Sequence, residues 1–261
     1  MGVGGVIAPF PEFPERLLTV LNGLVPDFTL VGSFARDYRV RNVAGLPEVA
    51  QSLDVDIAIL VPSLAEYRER LKQLDGPNGL GIRFSVDGFE VDVIPYGPEV
   101  APDGVVEIVE GVTLDVTGMA EAVETADLVQ VGETQVKIPA LSSMIGLKLV
   151  AWSYRRGTTL KDARDLGSLL RATYHGPDGD ALWSDDAAGQ RWDYDDMLVG
   201  PYRAGRQLAA SWQPRSVSRL LEALDARGVA TLSTQIARLA RSQAGLLAEQ
   251  VGALRVGLES E

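Results

Sequence analysis

The chain has 261 residues, 46% of them hydrophobic, with no cysteine, a single histidine and a net charge of −12. Those numbers exclude a disulfide framework, a thiolate metal site and a multi-histidine zinc site, so any bound metal has to be held by oxygen, which suits Mg2+, Mn2+ or Ca2+. The length supports a sizeable core in one large or two modest domains.

The first residues, "MGVGGVIAPFPEFPERLL", lack the basic leader and apolar run of a signal peptide, and Val6 stands where a myristoylation signal wants Ser or Thr. No apolar run approaches membrane-spanning length. The expectation is a soluble, cytoplasmic protein with no membrane partner.

In chain order, residues 12–24 read as a helix and "DFTLVG" as a short buried strand ending at Gly32. "SFARDYRV" opens a helix with Ser33 as its N-cap. Residues 41–53 read as a loop or a short broken helix. "DVDIAILV" is a strand, "PSLAEYRERLKQLD" an amphipathic helix, and "GIRFSVDGFEVDVIPYG" a hairpin turned by Asp87-Gly88. Short strands near 105–114 and 128–138 extend or cover the sheet. From Pro139 the pattern turns helical: "PALSSMIGLKLVAWSYRR", then "TTLKDARDLGSLLRA", then a long polar loop or partly ordered insert over 174–196. Helices at about 201–210, 216–227 and 229–256 follow. The fold class expected is α/β (α+β): a mixed sheet flanked by helices over residues 1–138, followed by a helical domain over 139–261.

Overall acidity argues against a nucleic-acid partner. The acids are unevenly spread, however. Between Arg83 and Lys137 there is no basic residue and there are twelve acids, which leaves the rest of the chain neutral. The stretch 148–171 is locally basic, with Lys148, Arg155, Arg156, Lys161, Arg164 and Arg171 against Asp162 and Asp165. It fits a phosphate-bearing ligand as well as solvated helix faces.

"LDVDIAILV" places Asp54 and Asp56 on one side of a strand, where like charges repel. "FEVDVIPYG" adds Asp92 on a second apolar strand. Three carboxylates on neighbouring strands can hold Mg2+ together with substrate phosphates; the bland alternative is the solvent face of a half-exposed sheet. Gly32-Ser33, between a strand and a helix, offers backbone N–H groups and a hydroxyl to a phosphate, or a plain cap. Lys148 has apolar neighbours, as a ligand-facing lysine or one extending its head to water would. Thr159 and Asp162 fit a capping box, and Asp165 with Arg155 or Arg156 fits an ordinary ion pair. His175 has no evident partner. Trp183, Trp192 and Tyr194 are either base-stacking groups or loop anchors.

The order Gly32-Ser33, Asp54-Val55-Asp56, Asp92 resembles the signature of the nucleotidyltransferase superfamily of the DNA polymerase β type. Within it, "IGLKLVAWSYRRGTTLKDARDLGSLL" resembles the downstream motifs of the AbiEii/AbiGii toxin-like nucleotidyltransferases, where a helix with Lys and Arg precedes Lys-Asp-x-x-Asp-Leu. The likeness spans residues 30 to about 170. It implies a nucleotidyltransferase fold and Mg2+-dependent transfer of a nucleoside monophosphate from a nucleoside triphosphate to a hydroxyl. Asp54, Asp56 and Asp92 would be catalytic ligands of two Mg2+ ions, with Mn2+ as a substitute. Gly32, Ser33, Lys148, Lys161, Asp162 and Asp165 would bind nucleotide. It further implies a toxin of a toxin–antitoxin pair, with tRNA as acceptor and a cognate antitoxin. The competing readings are transfer to a protein or to an antibiotic-type small molecule, and a non-catalytic nucleotide-binding protein on the same fold.

Overall fold

The computed structural model describes residues 15–47, 54–76, 81–240 and 243–260. The chain runs α1 (Glu15–Leu24), β1 (Thr29–Val31) and α2 (Gly32–Asp37), which continues into a π-helical turn (Tyr38–Val43). Next come β2 (Asp54–Leu60), α3 (Leu64–Leu71), β3 (Arg83–Val86), β4 (Phe89–Tyr96), β5 (Val105–Val109), β6 (Val112–Asp115), α4 (Met119–Glu124), β7 (Asp127–Val131) and β8 (Thr134–Ile138). After β8 every element is helical: α5 (Leu141–Arg155), α6 (Lys161–Ala172), α7 (Gly176–Asp180), α8 (Asp186–Arg191), α9 (Asp196–Ser211), α10 (Pro214–Ala223), α11 (Ala226–Ala240) and α12 (Ala244–Leu258), with a 3-10 turn at Ala181–Ser184. A mixed sheet followed by helices is the architecture expected from the sequence.

Six strands form the sheet in the order β3-β4-β2-β1-β8-β7. β2 pairs parallel to β4 and antiparallel to β1, and β8 lies parallel to β1. Alternation along the strands divides the faces. Val55, Ile57, Ile59, Val91 and Val93 are fully buried in the main core, which also takes in Leu17 and Leu21 of α1 and the apolar faces of α5, α6 and α12. The opposite face carries Asp56 and Asp92 near the strand starts and, further along, Ala58, Ile94 and Tyr96. These last three pack beneath Val106, Ile108 and Met119 of the β5–β6 hairpin and α4. Both faces are covered, which is why the strands read as nearly continuous apolar runs.

The two-residue turn at Asp87-Gly88 has φ of 51° and 83°, the positive pair that a type I′ hairpin needs. It fixes the register of β3 on β4, with Arg83 opposite Asp92. The second predicted β pair, β7–β8, extends the sheet, whereas β5–β6 forms a separate two-stranded sheet.

Four local expectations change. Ser33 is not the cap of α2: Val31 is the N-cap residue, Gly32 opens the helix, and Ser33 is buried one position further in. Most of the stretch 174–196 is short helix rather than loop, α7, a 3-10 turn and α8, and Asp185 caps α8, accepting from the Ala188 N–H at 3.1 Å. α9 begins five residues before Pro201, because Asp195 caps it at the Met197 N–H and the proline is tolerated inside. The long helix drawn over 229–256 is two helices, since α11 packs on α6 where Ile236 covers Gly167, while α12 lies against α9 with Gly205 and Gly257 in backbone contact. Residues 12–14 of the first predicted helix, 48–53 of the predicted loop, and the N-terminal features at Gly2 and Val6 lie outside the described residues. No helix among the described residues is long and apolar enough to cross a membrane.

Candidate active site

β2 and β4 bring the carboxylates together. Their parallel register sets Asp56 beside Asp92 and Asp54 beside Glu90, all on one face. Register on the other side sets Val31 opposite Asp56, so the chain turns into α2 directly against that carboxylate. Gly32 has φ +66°, and a Cβ built on it would lie 1.9 Å from Asp56 Oδ2 and 2.7 Å from Asp56 Cβ. The glycine is needed twice, for the left-handed backbone and for the close approach.

Asp56 makes no hydrogen bond or ion pair among the described residues. Burial, with the Asp92 and Asp54 charges beside it, pushes its carboxyl up to about 6 against the opposing pull of Lys148 and Lys161. The other two carboxylates are occupied. Arg83 donates to both oxygens of Asp92 (Nε to Oδ1 2.7 Å, Nη2 to Oδ2 2.8 Å), to Asp54 Oδ2 at 3.1 Å and to Glu90 Oε2 at 3.0 Å. The positive group found between Asp54 and Asp92 is therefore a guanidinium.

A cleft of about 230 Å³ opens over this face, and Gly32, Asp56 and Asp92 form one wall. Lys148, Tyr154 and Arg155 of α5 and Lys161 at the start of α6 face them, with Met119, Met144 and Leu147 as apolar lining. Lys148 is held from behind: Nζ is 2.6 Å from Asp165 Oδ2 and 3.6 Å from Asp162 Oδ1. Asp162 does not cap α6; its two oxygens accept from Arg155 at 2.9 and 3.0 Å. Asp165 also pairs with Arg36 of α2, which in turn grips Asp37 at 2.6 and 2.8 Å. The Asp162 and Asp165 side chains are only 1% exposed, so they are buried network members and not surface ion-pair partners. Three cations (Arg36, Lys148, Arg155) balance three carboxylates (Asp37, Asp162, Asp165) in a network that ties α2 to α5 and α6.

Lys148→Met is accordingly expected to destabilise the protein by about 3 kcal/mol, because it removes one partner from a buried set of charges. Urea unfolding measures it; a loss below about 1 kcal/mol would show that Arg36 and Arg155 alone satisfy the two aspartates.

Ser33 is 2% exposed and its hydroxyl has no hydrogen-bond partner among the described residues, an orphaned polar atom beside the Gly32 turn. Lys161 makes no ion pair among the described residues and lines the cleft. Trp192 packs edge-on to Tyr202 with ring centroids 5.9 Å apart, away from the cleft lining, as a loop anchor does. Two residues escaped the sequence reading. Arg83 was legible in principle from the hairpin register; Arg36 carried only the weak signal of a charge in the apolar context "SFARD".

As for a metal, three carboxylates in neighbouring register positions are the all-oxygen donor set that a hard cation takes, and one or two suffice for Mg2+ when a triphosphate completes the shell. Asp56 fits, being crowded by like charge and otherwise unpaired. No three metal-ligating side chains are grouped to hold a cation among the described residues, and Arg83 spans Asp92 and Asp54.

No family model matches the chain, nor does any curated protein. Among solved structures, one described as an antigenic nucleotidyltransferase-like protein from Paracoccidioides brasiliensis is similar, with 17% identity over 70% of this chain and 92% of its own and a TM-score of 0.38. At that level of likeness, the functional reading rests on the residues of this chain.

Proposed function

We propose that the protein is a nucleotidyltransferase that moves a nucleoside monophosphate from a nucleoside triphosphate to a hydroxyl acceptor. The observation that carries this reading is the meeting of Asp56, Asp92, the Gly32 turn and Lys148 around one cleft. The acceptor oxygen bonds to the α-phosphorus, the α–β bridging P–O bond breaks, pyrophosphate leaves, and Asp92 helps take the acceptor's proton.

Ser33 and the N–H groups that follow it would grip the β and γ phosphates. Lys148, oriented by Asp165 and Asp162, would offset charge on the departing pyrophosphate, with Lys161 and Arg155 at the cleft mouth. Asp162 and Asp165 would thus act on the nucleotide through the cations they hold. Asp56, Asp92 and Asp54 would hold Mg2+, or Mn2+ in its place. When bound, the cation supplies charge neutralisation of the triphosphate and the attacking oxygen. Catalysis is then mostly positioning and electrostatics.

The acceptor that the family resemblance suggests is tRNA. A second reading has its own support. A cavity of about 470 Å³ adjoins the cleft through Asp115, Val116 and Thr117, and Asp103, Glu121 and Glu124 add acid to its walls. Against these acids it has two arginines, Arg215, bonded to the neutral Pro102 carbonyl at 2.7 Å, and Arg219, paired with Asp115 at 3.4 Å. Such walls suit a small cationic acceptor better than a phosphate backbone.

The test is label transfer from each of four α-labelled nucleoside triphosphates, with Mg2+, to total tRNA, cell protein and a panel of amino-alcohols, with Asp56→Ala as control. Label that depends on Asp56 establishes the reaction and identifies the acceptor, and an RNA acceptor would bind less tightly as salt rises. Tight nucleotide binding without label or Mg2+ dependence would point instead to a non-catalytic binding protein. A toxin role would show as growth arrest on expression that Asp56→Ala removes, and that a cognate antitoxin relieves.

A further inference from the structure

We propose that Arg83 is a built-in counter-ion of the carboxylate cluster, which a divalent cation has to displace, so that this side chain sets the metal affinity of the site. The inference rests on reading the carboxylates as a cation site, and it concerns what holds them when no cation does.

The fork geometry is the main argument. Arg83 uses Nε and Nη2 on the two oxygens of Asp92, shares Nη2 with Asp54 and places Nη1 on Glu90. A bidentate pair of this kind is the strongest ionic hydrogen bond the side chain can make. It engages both oxygens of Asp92 and brings a positive charge to the space beside Asp56. A divalent cation bound there with the guanidinium in place would meet repulsion and a ligand already engaged on both oxygens. The guanidinium cannot leave by losing its proton, because arginine stays protonated in proteins. It can leave only by rotating.

The surroundings permit that movement. The Arg83 side chain is 32% exposed, whereas Asp92 is 13% exposed and Asp54 25%. Glu90 lies two positions before Asp92 on the same face and is 66% exposed. A rotating Arg83 keeps that partner on the solvent side while it releases Asp92 and Asp54. Register makes the arrangement obligatory: the type I′ turn sets Arg83 opposite Asp92 and Ser85 opposite Glu90, so the fork always meets the carboxylate on the neighbouring strand. Without Arg83, the carboxylates that share this face would lose the guanidinium that bridges them, and the folded protein would carry more of their repulsion.

The experiment is Mn2+ binding without nucleotide, read from the electron paramagnetic resonance signal of free Mn2+, for the whole chain and for Arg83→Ala, Arg83→Lys and Asp92→Asn. Arg83→Ala is expected to bind Mn2+ about tenfold more tightly than wild type. Arg83→Lys separates displacement from long-range charge. Lysine keeps the charge but cannot span both oxygens of Asp92, so tighter binding is expected here too, though by less than for alanine. Asp92→Asn should weaken binding in every background.

If Arg83→Lys binds as wild type does and only Arg83→Ala gains, the effect is one of net charge and the displacement inference is overturned. If all the Arg83 variants match wild type while Asp92→Asn still weakens binding, the cation site stands and Arg83 does not gate it. If Asp92→Asn leaves Mn2+ binding unchanged throughout, the cation site itself is overturned and the inference falls with it. Thermal melts of the metal-free forms give a second readout that does not depend on affinity. Arg83→Ala should melt lower than wild type, and Mn2+ should restore it.

Discussion

Asp56→Asn is expected to raise the stability of the protein and abolish nucleotidyl transfer together. The Asp56 carboxyl is half-buried on the cleft wall, lies beside Asp92 and Asp54, and makes no hydrogen bond or ion pair among the described residues, and burial and the neighbouring acids raise its pKa from 3.8 to about 6. A carboxylate that is harder to ionise in the folded chain than in the unfolded one works against folding once it is charged. The folded state therefore holds the extra proton between the two values, and stability falls as pH rises from about 4 to about 6, with the full penalty present above that. The penalty is on the order of 2 kcal/mol once screening through the cleft is discounted. Asparagine keeps the shape and carries no charge. Urea unfolding of wild type and Asp56→Asn should thus coincide near pH 4 and separate above pH 6, the variant being the more stable. Transfer should drop by a hundredfold or more, roughly, since the removed group would touch the reacting centre. A variant less stable than wild type at neutral pH would mean that Asp56 has a structural partner, and would count against the assignment of the site.

Gly32→Ala is the second large effect expected. The left-handed backbone at this residue costs a non-glycine side chain about 1–2 kcal/mol. In addition, the new methyl would overlap Asp56 from Oδ2 (1.9 Å) through Cγ (2.5 Å) to Cβ (2.7 Å), so rotation of the carboxylate alone cannot relieve it. Either β2 or the β1–α2 turn has to shift, for a total near about 3 kcal/mol or more. Activity should be lost even where the variant folds, because the turn and the carboxylate move apart. A double-mutant cycle with Asp56→Gly isolates the contact, since that change removes all three overlapping atoms. In its background, Gly32→Ala should cost only the backbone term. Equal costs in both backgrounds would mean that the turn and the carboxylate do not touch.

The hairpin shows how far the sequence could be read. Asp87-Gly88 between apolar runs specifies a two-residue turn, and such a turn pairs Val86 with Phe89 and, counting outward, Arg83 with Asp92. The answer to the like-charged Asp54 and Asp56 was thus partly written in the next hairpin. The sequence reading stopped at the carboxylates and missed the guanidinium in the same register. The Ala- and Leu-rich run after residue 229 misled for the opposite reason: helix propensity is high over most of it, and the only local break signals, Ser242 and Gly245, are weak ones. The helix expected at about 201–210 begins earlier, because Asp195 supplies its cap six residues before Pro201.

The sequence by itself determined the strands, the turn chemistry and the faces on which Asp54, Asp56 and Asp92 lie. Those features follow from period-two alternation and from backbone preferences that act over a few residues. The tertiary structure alone decided that Gly32 presses on Asp56 and that Lys148 reaches the cleft held by Asp165 and Asp162. It also decided that Arg36 locks α2 to α6 through Asp165, 129 positions away. Buried charges choose partners across elements that meet only once the core has formed, because outside that core water solvates each of them and no pairing is favoured.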